Sequence, residues 1–164
     1  MAKSNEKVET GEDKLYKLSK PFRENEVKWR VGREMSWGET MVLAYVDVNT
    51  VRDRLNEVMG CDWQCKHITF GTKNVCHLGL KLNGEWVWRS DGAGDTKFEG
   101  EKGGLSDALK RAAVSFGVGR HLYDLGDVFI KKTDFIKKKN GDYTKTPNPA
   151  ACWDKVRRNK SDFS

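Results

Sequence analysis

Residues 74–88 read NVCHLGLKLNGEWVW, and the period of that stretch settles the architecture. Cys76, Leu78, Leu80 and Leu82 alternate with polar or small residues, the pattern of a strand with one buried face. Asn83-Gly84 offers the two positive-φ positions of a type I′ hairpin turn, so the chain folds back at once into a second strand, EWVWRS. The GTKN loop on the other side joins an earlier strand around residues 63–70, which makes an antiparallel meander. In the register set by the turn, Leu80 faces Val87 on the core side, while Lys81 faces Trp86 and Gly79 faces Trp88 on the other. Trp86 and Trp88 on a non-core face require a cover, expected to be a neighbouring protomer or the carboxy-terminal segment.

Outward from the meander, a Gly-rich loop (91–95) leads to a helix expected over 103–117. Its apolar stripe is Leu105, Ala108, Leu109, Ala112, Ala113 and Phe116, and the alanines permit close approach to a sheet. Lys110 and Arg111 project about 100° apart and flank the outer face of that helix. Upstream, residues 40–46 are β-prone, and Asp47 precedes a helix over 48–59 whose stripe is Val48, Val51, Leu55, Val58 and Met59 and which Gly60 ends. The segment PFRENEVKWRVG, with Pro21 at its start, predicts a short helix before Gly32. Residues 1–20 are charged and aperiodic, and are read as a flexible arm. Val128-Phe129-Ile130 predicts a strand, Asn140-Gly141 a turn, and Pro147, Pro149 and Trp153 a last short helix. The fold class is α+β: an antiparallel β-meander packed on a long helix, with flanking short helices. Residues 21–130 form the expected domain and 131–164 a basic C-terminal extension.

With 164 residues, 37% hydrophobic and 33% charged, the chain is long enough for one core and too apolar for wholesale disorder. No apolar run approaches the roughly 20 residues of a membrane span, and the start lacks the apolar centre of a signal peptide. A soluble, cytoplasmic protein is expected. The net charge of +6 is unevenly spread, since residues 1–109 carry −1 and residues 110–164 carry +7. Clustered cations favour a polyanion as partner, nucleic acid before membrane.

Several chemistries are disfavoured. No G-x-x-x-x-G-K-[ST] loop exists for ATP. Asp91, Asp95, Glu99 and Glu101 could be read as a metal-dependent nuclease site, but acids around a helix start are explained equally by the helix dipole. Cys61, Cys65, Cys76 and Cys152 contain no C-x-x-C pair, and a zinc site would need Cys65, His67 and Cys76 to converge from strands, so no metal and no other cofactor is expected. Nucleic-acid binding needs cations and aromatic surfaces on one scaffold, and Lys110, Arg111, Lys97, Lys102, Arg30, Arg33 and Tyr45 supply both.

The run EKGGLSDALKRA (101–112), continued by Ser115-Phe116-Gly117, preceded by Asp91-Gly92 and followed by Leu122-Tyr123, resembles the annealing domain of the Rad52 recombination family and its shorter phage relatives. Val27-Lys28-Trp29-Arg30-Val31, Leu43-Ala44-Tyr45-Val46-Asp47 and Gly60-Cys61-Asp62-Trp63 agree in order, so the resemblance covers about residues 22–130. It implies a β-β-β-α core, assembly into rings or arcs, and ATP-independent binding of single-stranded DNA, with annealing of complementary strands in homologous recombination and double-strand break repair and no enzymatic step. By position, Lys110 and Arg111 match the family's principal phosphate-contacting pair, Tyr45 a groove tyrosine, Lys97 and Lys102 further basic positions, and either Arg30 or Arg33 an upstream groove arginine. Val114 departs from relatives that carry a third basic residue there. The absence of the long partner-recruiting region of eukaryotic members suggests a compact phage or bacterial version working in a bacterial cytoplasm, with a single-strand binding protein or an exonuclease as partner. The competing readings are a structured-RNA or duplex-DNA binding module, and the nuclease.

Overall fold

The computed structural model describes residues 8–94 and 100–161. In chain order its elements are α1 (Gly11–Leu18), β1 (Lys28–Glu34), β2 (Thr40–Tyr45), α2 (Val48–Met59), β3 (Trp63–Phe70), β4 (Lys73–Leu82), β5 (Glu85–Gly94), α3 (Gly100–Val114), β6 (Val128–Ile130), β7 (Phe135–Lys137), β8 (Tyr143–Pro147) and α4 (Pro149–Ser161). Antiparallel sheets and helices together make an α+β chain, as expected. None of the described helices is long and apolar enough to cross a membrane.

The chain divides into two compact units, one of residues 1–20 and 48–120, the other of 21–47 and 121–164. The first is built on the meander β3-β4-β5. Asn83 and Gly84 take φ of 51° and 84°, and the register they impose pairs Leu80 with Val87, Lys81 with Trp86 and Gly79 with Trp88, as the alternation predicts. Cys76, Leu78 and Leu80 are fully buried, as are Ala108, Ala112 and Ala113 of α3, which packs on β4 and β5. With only methyl groups at those helical positions the backbones approach closely, and Leu109 and Phe116 fill what remains.

The supposed arm is not an arm over its described part. Thr10 and Asp13 form a capping box, Thr10 Oγ1 accepting from the Asp13 amide at 3.1 Å and Asp13 Oδ2 accepting from the Thr10 amide at 2.9 Å. An eight-residue helix cannot persist in water on a cap alone. Leu18 is fully buried, Arg54 of α2 donates to the carbonyls of Leu18 and Lys20 at the helix end, and the side chain of Asn83 accepts from the Gly11 amide at 2.7 Å. These fixings come from residues far along the chain, which is why local polarity misleads here.

The second unit holds the sheet β1-β2-β6 and the pair β7-β8. Trp29, Val42, Val128, Ile130, Cys152 and Val156 form its buried cluster, and Trp153 meets Trp29 edge-on at 5.4 Å between ring centres. Two expectations are corrected here. The helix expected around residues 22–31 is only a single 3₁₀ turn at Glu24–Glu26, followed by β1, because Trp29 and its alternating neighbours pair with β2. Residues 131–164 are not an appended tail, since Cys152 and Val156 of α4 belong to the core of this unit.

Candidate nucleic-acid interface

On the first unit, Lys110 and Arg111 leave α3 one step apart. Lys110 is half-buried and Arg111 exposed, flanking the buried stripe as expected. Each already has an anion. Lys110 Nζ lies 3.3 Å from Asp107 one turn back, and Arg111 Nε donates to Asp91 Oδ1 of β5 at 3.2 Å. Lys97, with Asp95 and Glu99 of the nuclease alternative, lies outside the described residues. Lys102 falls in the first turn of α3, and its side chain is likewise outside them.

On the second unit a β-bulge decides which cations share a face. Arg30 pairs with Leu43, and after the irregularity between Val31 and Arg33, Arg33 pairs with Met41. Leu43 and Met41 are two apart on β2 and point the same way, so Arg30 and Arg33 do too. In an unbroken strand, residues three apart would point to opposite faces. The inserted Gly32 restores the common face, and a Cβ there would come within 3.1 Å of the Leu43 and Met41 side chains. Tyr45 joins them, since it pairs with Lys28 two places along from the Arg30–Leu43 pair. The sequence left open which of Arg30 and Arg33 matches the family's groove arginine, and the bulge puts both on one face. Lys28 escaped the sequence reading although its alternation with Trp29 and Arg30 marked it. It is exposed and ion-paired with Asp47, which raises its pKa above the usual lysine value.

Trp86 and Trp88 stand on the meander face opposite the leucines. Their rings stack at 6.0 Å and 29°, and Lys66 of β3 lies 4.8 Å above the Trp88 ring. Trp88 lies across Gly79, where a Cβ would meet the indole at 2.8 Å. The rings remain 38% and 40% exposed, and Ile68 and Phe70 on the same face are 41% and 64% exposed.

The leucine-bearing face holds a feature that the cysteine spacing spoke against. Cys65 and His67 of β3 and Cys76 of β4 do converge, with Cys65 Sγ 2.6 Å from Cys76 Sγ and 3.3 Å from His67 Nε2. The hydrogen bond between the two thiols holds Cys65 below the ordinary thiol range, with help from the charge of Arg52, while the same bond and burial push Cys76 up. Burial, then Arg52, lowers His67. Cys152 behaves as the expected core thiol, fully buried and pushed up to about 12 by burial.

Residues 12–143 match the Rad52/22 family of double-strand break repair proteins, and the chain belongs to that family. It is 34% identical over 112 residues to the single-stranded DNA-binding protein DdrA of Deinococcus radiodurans, an alignment covering 66% of this chain and 54% of that protein. It is 36% identical over 126 residues to the DdrA of Deinococcus deserti, covering 72% and 60% respectively. The alignments thus span little more than half the length of these relatives. No solved structure matches the chain significantly.

Proposed function

We propose that this chain binds single-stranded DNA through its backbone and anneals complementary strands during recombination and repair, as an assembly of several copies and without ATP or a catalytic step. The observation that carries the reading is the Lys110–Arg111 pair on the exposed flank of α3, inside the stretch matched to the family. The carboxylates that hold both cations are exchangeable, since exposed ion pairs are worth about 0–1 kcal/mol and a phosphate replaces them at little cost. Arg30, Arg33 and Tyr45 on the other unit add a second surface of the same chemistry, cations beside an aromatic ring. Lys97 and Lys102 are assigned to DNA binding by their match to basic positions of the family alone. The naming of both Deinococcus relatives as single-stranded DNA-binding proteins supports the same ligand here. Contacts to phosphates leave base edges free, so complementary strands test their register by pairing with each other.

Assembly is read from the Trp86–Trp88 face, whose exposed aromatic and aliphatic surface suits burial against a neighbouring protomer. DNA binding is assigned to the faces that carry Lys110 and Arg111 in one unit and Arg30, Arg33 and Tyr45 in the other, with the cations of 131–164 adding attraction at longer range. The expected partners are single-stranded DNA and further copies of the chain.

The test is a salt titration of binding to labelled homopolymer single strands and to duplex, for the parent chain and for Lys110→Ala and Arg111→Ala. Single strands should be preferred, and each variant should bind more weakly, with a salt slope smaller by about 0.7 for each phosphate it no longer neutralises. Unchanged slopes in both variants would remove α3 from the interface. Preference for duplex, a requirement for ATP, or strand cleavage on adding Mg²⁺ would overturn the reading.

A further inference from the structure

Cys65 and His67 are two apart on β3 and point the same way, and Cys76 of β4 stands directly opposite His67. The three ligand atoms lie within 4.8 Å of one another. Burial is graded across them, with Cys76 fully buried, Cys65 half-buried and His67 exposed, so the cluster has a closed floor and one side open to solvent. We propose that Cys65, His67 and Cys76 form a binding site for a thiophilic divalent ion of the zinc type, held by two sulfurs and one imidazole nitrogen, with a fourth position open on the solvent side.

The donor set selects the ion. Thiolates with an imidazole suit zinc and its soft neighbours, whereas magnesium and calcium demand oxygen ligands that are absent from this trio. One of the two distances is near that required and the other must open. A tetrahedral ion with metal–sulfur bonds of about 2.3 Å and a metal–nitrogen bond of about 2.0 Å sets its sulfurs about 3.8 Å apart and a sulfur–nitrogen pair about 3.5 Å apart. Cys65 Sγ and His67 Nε2, at 3.3 Å, almost meet this already. The two sulfurs, at 2.6 Å, must open by about 1 Å, within reach of small χ1 rotations. A disulfide would account for the two sulfurs but not for the imidazole gathered beside them.

Binding involves no redox change. The ion takes the place of two thiol protons, which pass to solvent, and two metal–sulfur bonds and one metal–nitrogen bond form. The two thiolates balance the charge of the dication. Occupancy would pin the edge strand β3 to β4.

The test uses the full chain, reduced and stripped of metal, titrated first with Co²⁺ and then with Zn²⁺. One ion per chain should bind, with a sulfur-to-cobalt charge-transfer band that Zn²⁺ abolishes and with raised thermal stability. His67→Ala, at an exposed position, and Cys65→Ser should each weaken binding by at least the about 10–100-fold that loss of a mere supporting partner costs. Cys61→Ser, an exposed cysteine outside the cluster, should bind as the parent does. Absence of uptake by the parent, equal uptake by His67→Ala and Cys65→Ser, or a Cys65–Cys76 disulfide in peptide maps of chain kept reduced would each overturn the proposal. None of these readouts involves DNA, so the failure of this site and the failure of the strand-annealing reading are distinguishable.

Discussion

The two faces of the β3-β4-β5 meander carry comparable apolar content and meet opposite fates. On one, Cys76, Leu78 and Leu80 lie under α3 with no measurable exposure. On the other, Trp86, Trp88, Ile68 and Phe70 keep between 38% and 64% of their surface in water. Alternation along a strand thus identifies two faces without saying which is complete. Over β4 and β5 the leucine face is closed by a helix of the same chain, while its β3 side, at His67, is open. The tryptophan face is organised within itself, through the stack, the lysine above it and the glycine beneath, and that local order stands without a covering layer.

The largest effect that would erase this contrast comes from the closed face. Leu80→Ala should destabilise the chain by about 2–5 kcal/mol, measured by urea unfolding, because the cavity it leaves lies beneath a packed helix. A cost equal to that of truncating an exposed tryptophan would mean the faces do not differ. Gly79→Ala comes next. Its methyl must displace the Trp88 ring, so about 1–3 kcal/mol of stability and a changed near-ultraviolet dichroism of the Trp86–Trp88 pair are expected, and an unchanged spectrum would show that the ring does not rest on Gly79.

Trp88→Ala asks what covers the open face. It should cost the fold about 1 kcal/mol or less, given its 40% exposure, while lowering the native mass of the assembly. A native mass equal to that of the parent would remove this face from the interface between protomers. The smallest effect concerns the flank of α3. Asp107→Asn should leave stability within about 0.5 kcal/mol and tighten single-strand binding, because it removes the anion that competes with phosphate for Lys110. Weaker binding in this variant would mean that Asp107 presents the lysine rather than competing for it.

Legibility follows the range of the interactions involved. The hairpin at Asn83-Gly84, its register, α2 and the stripe of α3 are fixed within a few residues by turn chemistry and period, and each is readable along the chain. Lys110 and Arg111 are readable for the same reason, as neighbours on a helix whose buried side is evident. Helix α1 is not, because its cap is local but its anchors, Arg54 and Asn83, are remote. Strand β1 reads as a short helix because Pro21 and the glutamates after it signal a helix start, whereas its pairing with β2 is decided across a loop.

Two findings needed the folded structure to be decided. Arg30 and Arg33 share a face only because a bulge at Gly32 shifts the register by one, and period-two counting assigns them to opposite faces until that shift is known. Cys65, His67 and Cys76 have no ligand spacing along the chain, and they meet because β3 and β4 pair with His67 opposite Cys76. Periodicity, turn chemistry and residue order are properties of neighbours along the chain, and they suffice for the hairpin register, most of the elements, the basic helix flank and the family. Which side chains from different elements come together emerges only on folding, because register between strands and the fastening of a short helix are set by free energies summed over groups far apart in sequence.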